Sequence, residues 1–257
     1  MKKFLRLLLA GAAVLAISYP GYAGEDFDAI KATGVFKVGT EGTYPPFTYH
    51  DPSNNLTGFD VDIAREIARR LKVKAEFMEV KWDGLIAGLG AKRFDAVINQ
   101  VGITPEREAK FSFSIPYTSA QVVLITRKNN SDIKTFTDIK GKRAAQSLTS
   151  NYGQLATSYG ATLVSTDGFN QAIDLVATGR ADVTLNDRLS FLDFKKQRPN
   201  APVKIIAQQA DASQSAVLLR KGDPELLNAV NQALQGMKDD GTYRRISEKY
   251  FGVDISK

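Results

Sequence analysis

The stretch Gly88–Asn99, GLGAKRFDAVIN, has a counterpart in Asp174–Asn186, DLVATGRADVTLN. Set in step, Arg93 meets Arg180, Asp95 meets Asp182 and Asn99 meets Asn186. Each stretch reads as the end of a helix, a turn and a short apolar strand that stops at an amide. Outward from the first copy, the chain predicts strand Phe36–Thr40, the loop EGTYPPF (41–47), helix Gly58–Leu71, strand Ala75–Val80, helix Trp82–Lys92 and strand Phe94–Ile98. The first of those helices carries Val61, Ala64, Ile67, Ala68 and Leu71 on one stripe. Outward from the second copy come a short helical turn and strand in DIKGKRAAQ (138–146), the loop SLTSNYG (147–153), a helix from Asn151, strand Thr162–Val164, helix Phe169–Thr178 and strand Asp182–Leu185. Strands alternating with helices predict an α/β fold. The recurrence of the whole order predicts two copies of one lobe.

Two segments connect the copies. SIPYTSAQVVLIT (114–126) leads out of the first, and ADASQSAVLLRK (210–221), with strand Ser215–Leu219, leads back. A paired crossing of this kind is a hinge candidate. Two helices follow, one capped by Asp223-Pro224 and one over Tyr243–Phe251, stopped by Gly252. The expected division is a leader over 1–23, one lobe from 24–118 with 212–257, and a second lobe from 119–211.

The leader is read from Lys2, Lys3 and Arg6, the apolar run Leu7–Ile17, then Pro20 and the small residues Gly21 and Ala23. The run is about half of the ~20 residues that span a bilayer. The pattern therefore predicts an export signal cleaved after Ala23 and a periplasmic destination. The net charge of +6 falls by three with the leader, and no basic run remains to suggest nucleic acid. There is no cysteine and the only histidine, His50, is placed in a loop, so neither a disulfide framework nor a zinc site is expected. No cofactor is expected, and the protein is expected to be a soluble monomer.

In open α/β sheets ligands bind beyond the carboxyl ends of strands. Polar clusters stand at four such ends: Glu41 to Tyr44, Asn99-Gln100, Ser147 to Asn151, and Asn186-Asp187. If the two lobes face each other, these clusters line one cleft. Arg107, in Thr104-Pro105-Glu106-Arg107, is a cation in a first helical turn, against the helix dipole. Its ordinary role is a solvated surface arginine; beside a cleft it suits a bidentate carboxylate clamp. Asp187 is an N-cap for the helix that follows, or an acid for a ligand ammonium. Thr149, Ser150 and Asn151 open a helix, as plain caps or as an anion-binding turn. Tyr44 and Trp82 are core aromatics by default, and flat walls for a small solute if the cleft exists; Phe47 is structural.

Neither GxSxG, a P-loop nor HExxH occurs. The segments GTEGTYPPF, LTGFDVDIAREIARRL, KWDGLIAGLGAKRFDAVINQVGITPERE, FSFSIPYT and RKGDPELLNAVNQALQGMKDDGTYRRISEKYFG instead resemble, in order and spacing, the amino-acid-binding family of exported solute-binding proteins that serve ABC importers. The likeness covers nearly all of residues 25–254. It implies a two-lobed periplasmic binding protein fold of type II with two crossing strands, an amino-acid ligand, and a membrane permease as partner. It implies that Arg107 holds the ligand α-carboxylate, that Asp187 holds the α-ammonium, and that Ser150 and Asn151, with Thr149 beside them, form an anion-binding turn. Tyr44 and Trp82 would sandwich the side chain, Glu41 would reach the solute, and Asn99, Gln100 and Gly102 would contact the ammonium. Many members have serines where this chain has Asn99-Gln100 and a hydroxyl where it has Gly102. The set EGTYPPF, KWDG, INQV and NDRL looks most like the cystine-binding branch. The competing class is a dehydratase-like enzyme on the same scaffold, with Glu41 as its proton donor.

Overall fold

The computed structural model describes residues 24–255. The leader, Met1–Ala23, and its cleavage point lie outside them. No helix among the described residues is long and apolar enough to cross a membrane.

Two five-stranded sheets carry the molecule. In the first, the strands run Lys74–Glu79, Val35–Thr40, Ala96–Val97, Leu218–Arg220, Phe111–Phe113. In the second they run Thr162–Ser165, Arg143–Gln146, Val183–Asp187, Thr118–Arg127, Val203–Ser215. Both place the second strand, the first and the third side by side in parallel, and close with antiparallel strands. The repeat in the sequence is thus a repeat in topology. Its aspartates do the same work in each copy. Asp95 Oδ2 accepts from the backbone N–H of Lys37 at 2.8 Å, and Asp182 Oδ2 accepts from that of Arg143 at 2.9 Å. Each ties the start of the third strand to the first and sets where that strand ends on the opposite edge.

Helices cover the sheets with their apolar stripes. Phe59–Arg70 buries Val61, Ile63, Ala64, Ile67 and Ala68, while Asp62 and Arg69 stay toward solvent. The stripe has the 3.6-residue period of an amphipathic helix. Pro224–Asp239 is capped by Asp223, whose side chain accepts from Leu226 N, and Thr242–Phe251 ends on Gly252 at φ +74°. Both follow the sequence expectation.

Three expectations change. The loop EGTYPPF contains a short strand: Thr43–Tyr44, Thr48–His50 and Leu56–Thr57 form a small antiparallel sheet, which places His50 on a strand. Its strands are too short to show alternation. The connection back is not a single strand Ser215–Leu219. The crossing strand is Val203–Ser215, which pairs with Thr118–Arg127 from Val203↔Arg127 to Ser215↔Thr118 with two register shifts. Leu218–Arg220 is a separate strand of the first sheet. The long strand escapes a hydrophobic reading because Gln208, Asp211 and Gln214 face outward on an edge with one partner. Finally, the strand expected over Phe94–Ile98 is shortened to Ala96–Val97, with Asp95 N and Ile98 N on either side still donating to Lys37 O and Gly39 O.

Candidate functional site

The ends of the strands of both sheets converge on one cavity. From the first sheet and its connections come Glu41, Tyr44, Trp82, Asn99 and Gln100; from the second come Ser150 and Asn151. These seven of the eleven expected residues line it. Gly102, Arg107, Thr149 and Asp187 stand behind or beside the wall, and each for a visible reason.

Arg107 is held by the helical turn Pro105–Glu108, where the Thr104 side chain accepts from its backbone N–H. It is 8% exposed, so it is not a solvated surface arginine. Its guanidinium lies 5.4 Å from the Trp82 ring and donates to Gly102 O at 2.9 Å, Thr149 O at 3.3 Å and Asn151 Oδ1 at 3.4 Å. All three acceptors are neutral, and no carboxylate among the described residues pairs with it. Burial holds its pKa down, to about 10. Gly102 keeps this arrangement open: a Cβ there would stand 3.3 Å from Asn151 Nδ2 and 3.7 Å from Arg107 Nη1.

Asp187 is the N-cap of helix Arg188–Gln197, accepting from Leu189 N at 2.6 Å through Oδ1. It is 5% exposed and pairs with no cation among the described residues. Burial pushes its carboxyl up to about 7, against the lowering effect of the backbone N–H groups of Leu189 and Ser190. The half-buried Tyr152 side chain, on the cavity wall, is within electrostatic reach of both Asp187 and Arg107. A buried cation and a buried anion, each without a charged partner, therefore flank one cavity.

Two of the expected contact residues have side chains engaged within the protein. Thr149 is exposed, and its backbone N–H and hydroxyl both donate to Asp83 Oδ1, at 2.9 and 2.8 Å. It fastens one lobe to the other, and only its carbonyl turns toward Arg107. Gln100 lines the cavity, but its amide is engaged: Nε2 donates to Asp60 Oδ1 at 2.7 Å and Oε1 accepts from Thr118 Oγ1 at 2.7 Å. Asn99 is similarly placed, with Nδ2 donating to Glu41 Oε2 at 2.7 Å and Oδ1 accepting from Glu41 N at 2.8 Å. Both amides shape the wall and orient Glu41 and the hinge. Ser150 caps helix Asn151–Ser158 through Tyr152 N, as its ordinary role predicts, and also faces the cavity.

Glu41 is the cavity's own acid. Burial raises its carboxyl to about 7, the Asn99 amide opposes this, the Asp83 charge adds to it, and the Trp82 backbone N–H lowers it again. Sequence reasoning missed Gln146, Tyr152, Thr166, Phe169 and Thr184, which also line the cavity. The strand-end rule points to Gln146 and Thr166, which end or follow strands, whereas Phe169 meets Tyr44 edge-on at 6.3 Å only through the fold.

Contacts between the lobes ring the cavity. Besides Asp83 with Thr149, the Tyr44 hydroxyl donates to Asn186 Oδ1 at 2.6 Å, Ser190 Oγ donates to Pro45 O at 3.2 Å, and Lys81 pairs with Asp167 at 2.7 Å. The lobes are closed on each other.

A family model for bacterial extracellular solute-binding proteins, family 3, matches residues 36–253. The L-cystine-binding protein TcyA of Bacillus subtilis is 45% identical over the whole of both chains. The L-cystine solute receptor of Neisseria gonorrhoeae, in its unliganded open conformation, is 47% identical over 91% of this chain and all of that one, with a TM-score of 0.60. An ancestral arginine-binding protein bound to arginine is 39% identical, covers 85% of this chain and 99% of its own, and has a TM-score of 0.80. The chain more alike in sequence superposes less well. A rigid rotation of one lobe against the other lowers global superposition in this way, in keeping with the closed arrangement seen here.

Proposed function

The chain belongs to the bacterial extracellular solute-binding proteins of family 3, and on that premise we propose that it is an exported receptor that closes on L-cystine, or a related polar amino acid, and delivers it to an ABC importer. Its fold is the two-lobed, type II arrangement of amino-acid-binding proteins. We take the lobes as 24–118 with 212–257, and 119–211, with 1–23 as an export signal removed before the receptor reaches the periplasm.

One observation carries the proposal. Arg107 and Asp187 are a buried cation and a buried acid with no ion-pair partner among the described residues, each set directly behind residues that line one cavity, Trp82 and Asn151 for the first and Asn186 for the second. Leaving a charge buried and unpaired costs several kcal/mol. An α-amino acid brings both missing partners at once. Its carboxylate suits the planar fork of Arg107, reinforced by Ser150 and Asn151, and its ammonium suits Asp187. Tyr44 and Trp82 would then flank the rest of the solute, and sulfur packs well on such rings. Gly102 admits the head group by leaving room beside Arg107.

Cystine is preferred because TcyA and the Neisseria receptor carry that name at the identities given above. Both names are those of binding proteins, which favours a receptor over an enzyme. A thermal-shift screen of the twenty amino acids plus L-cystine, followed by calorimetry, tests the proposal. L-Cystine is expected to bind more tightly than L-glutamine, L-histidine and L-arginine. Another amino acid binding at least tenfold better, about 1.4 kcal/mol, would remove the cystine assignment.

A further inference from the structure

Two buried side-chain polar atoms have no hydrogen-bond partner among the described residues, Trp82 Nε1 and Thr166 Oγ1, and both side chains line the cleft. Buried polar atoms are rarely left unpaired, because each then loses its water without replacement. That both orphans face one cavity points to a polar ligand group there.

Their surroundings are hydrogen-bonded. Thr166 is 4% exposed and follows strand Thr162–Ser165. Its N–H donates to Gln146 O at 3.1 Å, and its carbonyl accepts from Ser147 Oγ at 3.2 Å. Gln146 donates through Nε2 to Leu185 O at 2.9 Å and to Thr184 Oγ1 at 3.2 Å. Because a carbonyl can only accept, this fixes the amide orientation. Its Oε1 takes no hydrogen bond from the described residues. From the other lobe, Glu41 Oε1 lies 3.6 Å from where a Cβ on Gly168 would stand, so this carboxylate sits against the turn that carries Thr166. Trp82 joins this end to the other, since the same indole lies against Arg107.

We propose that Thr166, Gln146, Trp82 and Glu41 form a distal subsite that takes a second zwitterionic amino-acid head. Thr166 O–H and Trp82 N–H donate to its carboxylate, while Glu41 and Gln146 Oε1 accept from its ammonium. The inference rests on the amino-acid reading of the cleft and narrows it to two-headed solutes. A ligand ending in a bare ammonium or guanidinium would satisfy Glu41 but offer nothing to the indole N–H, which can only donate.

The test is calorimetry with L-cystine, L-cystathionine, S-methylthio-L-cysteine and L-arginine. S-Methylthio-L-cysteine keeps the disulfide and one head but lacks the second head. The two-headed ligands are expected to bind the unsubstituted protein at least tenfold more tightly than either other ligand. Thr166→Val, nearly the same shape, is expected to weaken L-cystine at least fivefold while leaving S-methylthio-L-cysteine within twofold. Thr166→Ser, which keeps the hydroxyl, should retain the preference, and Trp82→Phe should reduce it. Equal weakening of both ligands by Thr166→Val, or no weakening, overturns the subsite. So does one-headed binding as tight as two-headed binding, and in those cases the amino-acid reading stands. Failure of the folded protein to bind any of the four overturns both.

Discussion

At the scale of single residues, the site depends on charges placed where water is scarce. Arg107 donates to three neutral oxygens and pairs with no carboxylate among the described residues, which is what the proposed clamp requires. Arg107→Lys is therefore expected to weaken binding of any α-amino acid by roughly 2 kcal/mol or more, because a point charge replaces a planar fork in a desolvated setting. Calorimetry on the folded variant checks this, and near-normal affinity would take Arg107 out of the site. The type and place of this residue were legible in the sequence, from Thr104-Pro105-Glu106 and the nearby strand end. Its burial was not, because that comes from Trp82, Thr149 and Asn151, two of which belong to the other lobe. Gln100 and Thr149 show the converse. Each is a polar residue at the expected strand end or helix start, but its side chain is taken by a distant partner, Asp60 in one case and Asp83 in the other.

At the scale of elements, two junctions set the geometry. The first joins helix Phe59–Arg70 to the hinge. Asp60, fully buried, accepts from Gln100 N and Nε2, both at 2.7 Å, and Gln100 in turn accepts from Thr118 at the start of a crossing strand. Gln100 holds φ +50°, a left-handed conformation that is costly for a residue with a side chain and is kept in place by these bonds. Asp60→Ala leaves the buried Gln100 side-chain donor without its acceptor and its backbone N–H with only the Tyr117 hydroxyl, and is expected to cost about 2–4 kcal/mol of stability in denaturant unfolding. A loss below about 0.5 kcal/mol would mean the junction does not hold the hinge. The second junction is the start of helix Trp82–Gly90. There Asp83 accepts from Leu148 N, Thr149 N and Thr149 Oγ1 of the opposite lobe, bonds that exist only when the lobes are closed. Asp83→Ala is expected to weaken every ligand by a similar factor, about fivefold or 1 kcal/mol, by faster dissociation and without changing their ranking. Stopped-flow release of one-headed and two-headed ligands distinguishes this from a change in the cavity, which would alter the ranking.

At the scale of the whole molecule, three buried or half-buried carboxyls in and near the cleft tie stability to pH. Burial raises Glu41, Asp60 and Asp187 each to about 7, from unfolded values near 4. Between about pH 4 and 7 the folded chain holds protons that the unfolded chain has released, so the ligand-free protein should lose stability as pH rises through that window. Carboxyls lowered by ion pairs, such as Glu66 and Asp182, act with the opposite sign as pH falls below their unfolded values, outside the window. An ammonium bound to Asp187 requires the charged carboxylate. The rise in Tm on adding ligand should accordingly be larger at pH 8 than at pH 5, as scanning fluorimetry can measure. An equal or smaller rise at pH 8 would exclude Asp187 as the ammonium partner.

The sequence by itself determined the doubled α/β plan and the strand ends that carry polar groups, because helix stripes, β-branched runs and caps are local patterns that repeat within each copy. It also placed Arg107, Asp187 and Glu41 near one cleft, through the rule that ligands meet open sheets at strand ends. Only the tertiary structure decided which polar groups face that cleft and which face the protein. That choice depends on contacts such as Thr149 with Asp83 and Gln100 with Asp60, between residues 66 and 40 positions apart. It depends also on Thr166 Oγ1 and Trp82 Nε1 being buried without hydrogen-bond partners among the described residues, a property of packing that neither residue's local sequence contains.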